Sequence, residues 1–257
     1  MRITQTTLLV IMALANAWTA PRSASDSAVV AEIAQKYDNL YKSKSSHSKM
    51  EMEIITPHYR RTLMARVWTE GKEKMLIRIL EPRKERGVGT LKIGDDMWNY
   101  LPKTNKIIKI PPSMMMSSWM GSDFTNDDLV REYTLLEDYM LELIDPDTVA
   151  ESLYVLKAEP KSGRPIIWNK ILLAVRRDDY LPVWQENYDE SGDLMRVFKF
   201  SDYTTFDKRT IPAVMTLVPQ DKEGHKTVLR YLAMEFEVDV DKGVFSLRNL
   251  RSPVRER

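Results

Sequence analysis
Between Val228 and Val240 the chain alternates: Val228, Leu232, Met234, Phe236, Val238 and Val240 share one parity, and Glu235, Glu237 and Asp239 take the other. Successive side chains of an extended strand point to opposite faces, so this run demands one dry face and one wet face. Earlier runs repeat the pattern. Met50, Met52 and Ile54 alternate with Glu51 and Glu53, and Met75, Ile77 and Ile79 with Lys74 and Arg78. Turn signals at Glu70-Gly71, Gly94-Asp95, Thr104-Asn105, Asp178-Asp179, Ser191-Gly192-Asp193 and Glu223-Gly224 join such runs at hairpin distances. Roughly twelve strands are expected, from 49–56 through 226–240, with sequential neighbours paired. An antiparallel sheet of that size twists and curls, which gives it a concave side.

Something apolar has to fill that side. Ser27 to Lys44 carries Val30, Ile33, Tyr37, Leu40 and Tyr41 at helical spacing, behind Asp26 and Ser27 as possible caps. A second cover is expected from 111–145, where Leu129, Val130, Tyr133, Leu136, Tyr139 and Met140 continue an apolar face. The fold class is therefore mainly β: an incomplete antiparallel β-barrel of about 11–12 strands, covered by an N-terminal helix and a mid-chain helical lid.

The lid opens on an unusual composition. Met114, Met115, Met116 and Met120 surround Trp119, and methionine is unbranched and polarizable, which suits a surface that repacks around an irregular apolar partner. The competing reading is a flap that finishes the core. With Phe124, Met75, Ile77 and Trp98, these residues are the candidate ligand-binding set. Asp123, Asp127 and Asp128 with Thr125 superficially resemble a calcium loop, but the sixth position is no glycine and the twelfth is Thr134 rather than Glu. The stretch reads instead as a helix start: Thr125 accepts from the Asp128 backbone while the Asp128 carboxylate reaches back, and Asp127 and Asp128 suit the positive end of the helix dipole. These residues would fix a hinge beside the Met-Trp patch. In the second strand Arg60 and Arg66 share one parity and Arg61 takes the other, so at least one points inward and requires an acidic or ligand partner, as a lid latch would.

At the start of the chain, Met1 and Arg2 precede an apolar run from Leu8 to Ala17 and then small residues at Ala20, Ser23 and Ser25. That is the layout of a secretory leader, expected over residues 1–25 with cleavage between 17 and 25. Residues 26–257 are expected as one domain with 111–150 as a lid insertion. Removing the leader takes Arg2 and Arg22 and no acid, leaving 36 basic side chains against 37 acidic ones. A balanced, mixed charge excludes a nucleic-acid partner. There is no cysteine, hence no disulfide, thiolate metal site or lipid-attachment cysteine. His47, His58 and His225 lie far apart, no Gly-x-Ser-x-Gly elbow or P-loop is present, and neither a metal, a cofactor nor an enzyme is expected.

The run Gly121-Ser122-Asp123-Phe124-Thr125-Asn126-Asp127-Asp128, with Tyr180-Leu181-Pro182 and Val244-Phe245-Ser246-Leu247 to Leu250, resembles the periplasmic outer membrane lipoprotein-sorting group, the broad LolA-like family, over about residues 27–250. The resemblance implies an incomplete β-barrel whose hydrophobic cavity shelters acyl chains. It also implies a periplasmic carrier of lipid or acylated lipoprotein cargo, served by an inner-membrane permease or transporter and an outer-membrane acceptor. The alternative is a sensor or accessory subunit that binds a permease through the same fold.

Overall fold
A computed structural model describes residues 24–130, 134–144, 152–163 and 166–253, with side chains from Asp26 onward. The leader expected over 1–25 lies outside the described residues except for Ala24 and Ser25, and Tyr133 of the expected lid face also lies outside them.

In chain order the elements are α1 (Ala24–Asp38), β1 (Ser45–Ile55), β2 (Arg60–Glu70), β3 (Lys74–Glu81), β4 (Gly89–Ile93), β5 (Asp96–Leu101) and β6 (Lys106–Lys109). A single 3-10 turn (Pro112–Met114) leads to α2 (Asn126–Val130) and α3 (Leu135–Asp138). Then follow β7 (Tyr139–Ile144), β8 (Leu153–Pro160), β9 (Lys170–Arg176), β10 (Pro182–Tyr188), β11 (Leu194–Phe206), β12 (Arg209–Pro219), β13 (Lys226–Phe236) and α4 (Leu247–Arg251).

The strands form one open sheet in the order β6-β5-β4-β3-β2-β1-β13-β12-β11-β10-β9-β8-β7. The chain starts at the centre, walks outward to the β6 edge, crosses to the β7 edge and walks back to β13, which pairs with β1. The segment between β6 and β7, where the lid is expected, makes this crossing. Because it must travel from one edge of a curved sheet to the other, topology alone lays it over a face, and that face is concave.

Two expectations are corrected. Residues 139–144, expected to extend the helical lid face, form β7 and pair with β8 from Tyr139 opposite Pro160 to Ile144 opposite Val155. Tyr-Met-Leu-Glu-Leu-Ile is short and apolar, and such a run fits helix and strand periods alike. This raises the strand count to thirteen. The single dry face expected from Val228 to Val240 is also broken. Lys49 lies opposite Ala233 and Met50 opposite Tyr231, so a bulge at Leu232 flips the parity. Leu229 and Tyr231 face the concave side before it and Met234 after it, while Leu232 is 48% exposed. The strand ends at Phe236, and Val240 packs on the opposite face.

The concave side is covered by two elements. Over the β7–β10 half lies α1, whose Val30, Ile33 and Ala34 pack with Leu135, Leu156 and Leu173. The helix ends at Asp38, earlier than the periodic pattern suggests, and the next residues turn: Arg209 donates to the carbonyls of Asn39 (3.3 Å) and Lys42 (2.5 Å), occupying acceptors that a continuing helix would have used. Over the β1–β5 half lies the crossing segment, with Trp119 and Val130 packed among Met52, Leu63, Ile77 and Met97.

The convex side of β2–β5 is covered as well. Leu76, Leu91 and Tyr100, with Trp68 and Trp98 beside them, pack against Phe245 and Leu250 of the C-terminal segment. Arg78, pointing outward from β3, donates to the carbonyls of Asn249 (2.9 Å), Leu250 (2.6 Å) and Ser252 (2.5 Å). Gly89 makes room for this cover: a Cβ at this position would stand 2.7 Å from Leu250 Cδ1, and that side chain would have to shift.

Candidate functional site
Where the two concave covers meet they leave a cavity of about 440 Å³. That lies within the usual range for ligand pockets. Its apolar wall comes from Met50, Val67, Met75 and Ile77 on one half of the sheet and Met215 and Leu229 on the other, roofed by Trp119, Phe124 and Leu129. One end is polar. There Tyr37 donates to Gln185 Oε1, Gln185 Nε2 donates to Asn187 Oδ1 at 2.6 Å, and Asp38, Asp127, Asp128 and Arg196 complete the wall.

The roof is built by the Ser-Asp-Phe-Thr-Asn-Asp-Asp run, six of whose seven residues have a task set out below. Met120 (φ 54°) and Gly121 (φ 73°) turn the chain through the left-handed region, so that Trp119 N–H reaches the Phe124 carbonyl at 2.7 Å. Ser122 Oγ donates to the Trp119 carbonyl at 2.7 Å and accepts from Phe124 N–H at 3.2 Å. Asp123 ties the loop to β13: its N–H donates to Thr227 Oγ1 (3.0 Å), which in turn donates to Asp123 Oδ2 (2.7 Å). Phe124, held between these anchors, enters the cavity roof. Thr125 N–H donates to Asp128 Oδ2 at 2.8 Å and Asp128 N–H to Thr125 Oγ1 at 3.2 Å, a reciprocal cap at the start of α2. Asn126 Nδ2 holds the Met114 carbonyl at 2.9 Å. The Thr125–Asp128 pair was legible because its partners are three residues apart.

Side chains distant in sequence fasten the loop. Arg61, on the inward parity of β2, donates from Nη2 to the Met120 carbonyl and pairs with Glu85 at 3.3 Å. Arg60 pairs with Glu53 at 2.9 Å, on the other parity, and Arg66 shares that parity, so among the three latch candidates Arg61 is the one that meets the loop. Trp119 Nε1 donates to Thr90 Oγ1 at 3.0 Å. Sequence reasoning missed the strongest fastener. Arg196 of β11 grips Asp128 through both terminal nitrogens, at 2.9 and 2.6 Å, and its guanidinium lies over Trp168 at 4.2 Å. Burial alone would raise the Asp128 carboxyl, but the Arg196 guanidinium and the two Thr125 hydrogen bonds hold it below the ordinary carboxylate value. Burial pushes Asp38 upward, although the backbone N–H groups of Leu135 and Leu136 partly offset this at 2.8 and 3.2 Å. Tyr231 is pushed up to about 12 by burial alone.

The candidate ligand-binding residues divide into four groups. Trp119, Phe124, Met75 and Ile77 line the cavity. Met115 and Met120 pack against the concave core without lining it, and Met114 and Met116 stand outside at 47% and 52% exposure. Trp98 is corrected to the convex face: Met97 takes the inward position on β5, and parity sends Trp98 outward beside Ile107 and Lys109. Among the described residues no group of three or more histidine or carboxylate side chains is placed to hold a metal, and no helix is long and apolar enough to cross a membrane.

A family model described as "Uncharacterized protein" matches residues 71–252. No curated protein is detectably similar in sequence. Solved structures are similar in fold. A DUF1329 family protein from Desulfovibrio piger superposes with a TM-score of 0.77 at 23% identity, over 88% of this chain and 99% of that one. A domain from Vibrio parahaemolyticus, provisionally named an outer membrane lipoprotein-sorting protein domain, gives 0.72 at 23% identity over 86% and 97%. A LolA superfamily protein from Nitrosomonas europaea gives 0.70 at 23% identity over 86% and 98%. The fold is that of the LolA-like group.

Proposed function
The chain belongs to the family matched over residues 71–252, and from its LolA-like fold and its cavity we propose that it is a periplasmic carrier that shelters the acyl chains of a lipid or lipoprotein. One observation carries this reading: the crossing segment and α1 leave about 440 Å³ of mostly apolar space between them. A core built only for stability fills such space, because each unfilled volume forfeits packing energy. Burial would drive capture at about 0.8 kcal/mol per methylene, so ten methylenes supply roughly 8 kcal/mol before ordering costs, a tight but reversible hold.

Entry requires the roof to move. Its anchors, Arg61 to the Met120 carbonyl, Asp123 to Thr227 and Asp128 to Arg196, are hydrogen bonds and an ion pair rather than a continuous strand ladder, so they can be broken in a block. Met114 and Met116, exposed on the outer side of the same loop, are placed to meet the membrane protein that loads or unloads the carrier, an inner-membrane permease or an outer-membrane acceptor. The domain boundaries, with a cleaved leader before residue 26 and a lid over 111–150, belong to this reading.

The test is mass spectrometry of the mature protein, secreted to the periplasm and purified without detergent, in native form and after organic extraction. Near-stoichiometric phospholipid or acylated peptide is expected. A clean apo mass with no uptake of added lipid would overturn the carrier reading and leave a filled scaffold that binds a permease.

A further inference from the structure
A second concavity, on the convex face, has no part in sheltering an acyl chain. It lies between α4 and the last two strands of the β6 edge, holds about 650 Å³, and is lined by Trp98, Ile107 and Leu247 with Lys109, Arg248 and Arg251. None of its lining residues is acidic. Lys109 is matched to Asp96 at 2.8 Å and stands over the Trp98 ring at 5.5 Å. Arg248 and Arg251 are exposed, and neither guanidinium has a hydrogen-bond or ion-pair partner among the described residues. The neighbouring sequence supplies none: from Met97 to Ser122 and from Lys242 to Pro253 the chain has no acidic residue.

One wall of this cleft is also the edge of the sheet, where β6 pairs with β5 alone. Ile110 N–H donates to the Met97 carbonyl at 2.8 Å, and Asn99 lies opposite Ile108. The alternation of an antiparallel ladder therefore turns the N–H and C=O of Ile107 and Lys109 away from β5. The side chains of these same two residues line the cleft. A lipid surface would leave such backbone groups without partners. An extended peptide satisfies them and carries every second side chain over the cleft. Edge lysines such as Lys106 and Lys109 keep sheets from pairing indiscriminately, but they repel a basic strand and attract an acidic one.

We propose that β6 is a docking edge for a short acidic segment of another protein, which adds as a strand beside Ile107 and Lys109. It sets an apolar side chain against Trp98 and Leu247 and carboxylates against Arg248 and Arg251. The turn at 102–105 and Pro111 bound the edge, which limits the segment to a few paired residues. The inference is independent of the carrier reading, because cleft and cavity lie on opposite faces of the sheet.

The experiment titrates the peptide Thr-Glu-Thr-Leu-Thr-Glu-Thr, blocked at both ends, into the full mature protein at low salt and follows binding and amide hydrogen exchange by NMR. Binding is expected to slow exchange at the Ile107 and Lys109 amides and to weaken as salt is raised. Arg248→Glu with Arg251→Glu is expected to weaken it at least about tenfold. Arg248→Gln with Arg251→Gln gives a milder second reading should the reversal disturb folding. The same peptide with Lys in place of Glu is expected not to bind. No binding of the acidic peptide, or binding without slowed exchange at Ile107 and Lys109, would overturn the docking edge. Phosphatidylglycerol vesicles that bind where the peptide does not would assign the cleft to a lipid surface instead. Self-association of the wild type that is lost in the charge-reversed variant would assign it to a second copy of this chain.

Discussion
The convex and concave faces of β2–β5 are both apolar and both covered, but the covers meet them differently: the convex one leaves a cleft at the β5–β6 edge, beside Trp98, Ile107 and Leu247, and the concave one leaves a cavity between the two halves of the sheet. On the convex face the cover is the short segment after β13, from Val240 through α4. Phe245 and Leu250 settle directly on Leu76, Leu91 and Tyr100, and Leu250 approaches so closely that a Cβ at position 89 would displace it. On the concave face the cover is tethered at both ends, to β6 and to β7, and has to bridge a curved surface. It touches down at anchor points instead of along its length. The electrostatics follow the same division. Arg78 on the convex side satisfies three backbone carbonyls and faces no carboxylate partner among them, whereas Arg196 on the concave side is matched to the charge of Asp128.

If the two faces are independent, variants on each should separate stability from ligand retention. The largest effect is expected for Asp128→Ala, which strands buried Arg196 and removes the α2 cap: about 3–5 kcal/mol of stability lost in denaturant unfolding, together with weakened lipid retention. Arg78→Met should cost about 2–3 kcal/mol by orphaning carbonyls on the convex side, a fall in Tm of roughly 5–10 °C, with retention by the folded fraction unchanged. Loss of retention in that variant would couple the faces and break the comparison.

A titration sharpens it further. Because the folded Asp128 carboxyl lies below its ordinary value of 3.8, its stabilising contribution is complete above that value and is lost as pH falls through the folded one. The stability difference between wild type and Asp128→Asn should therefore be flat near neutral pH and shrink below about pH 4. A difference that persists unchanged at pH 2 would assign the effect to packing. The smallest effect is expected for Phe124→Leu, about 1 kcal/mol by thermal unfolding, with a larger cavity that takes longer or branched chains.

How far the sequence carried this picture depended on distance along the chain. The strands β1 to β3 were legible because alternation is local, and so was the Thr125–Asp128 cap. The Asp128–Arg196 pair was not, since nothing local links α2 to β11. Trp98 was misplaced although parity could have placed it, since Met97 beside it takes the inward position. The bulge at Leu232 did leave a mark: Arg230 interrupts the even apolar run while Leu229 and Tyr231 are apolar on the other parity. The convex cover had a visible signal: Met75 to Ile79 is apolar at every position except Arg78, as expected of a strand buried on both faces.

The seam between β1 and β13 bears on how this chain comes to be folded at all. Ser46 lies opposite Phe236, so the first strand to form finds its second neighbour only when nearly all of the remaining chain has been made. Contacts of such long range are slow to form, because the entropy of closing the intervening loop is spent before they return anything. A chain delivered from its N-terminus holds β1 to β6 as a meander with one bare flank until β13 arrives. Met50, Met52 and Ile54 wait on that flank, and in this interval the chain depends most on whatever keeps unpaired edges apart.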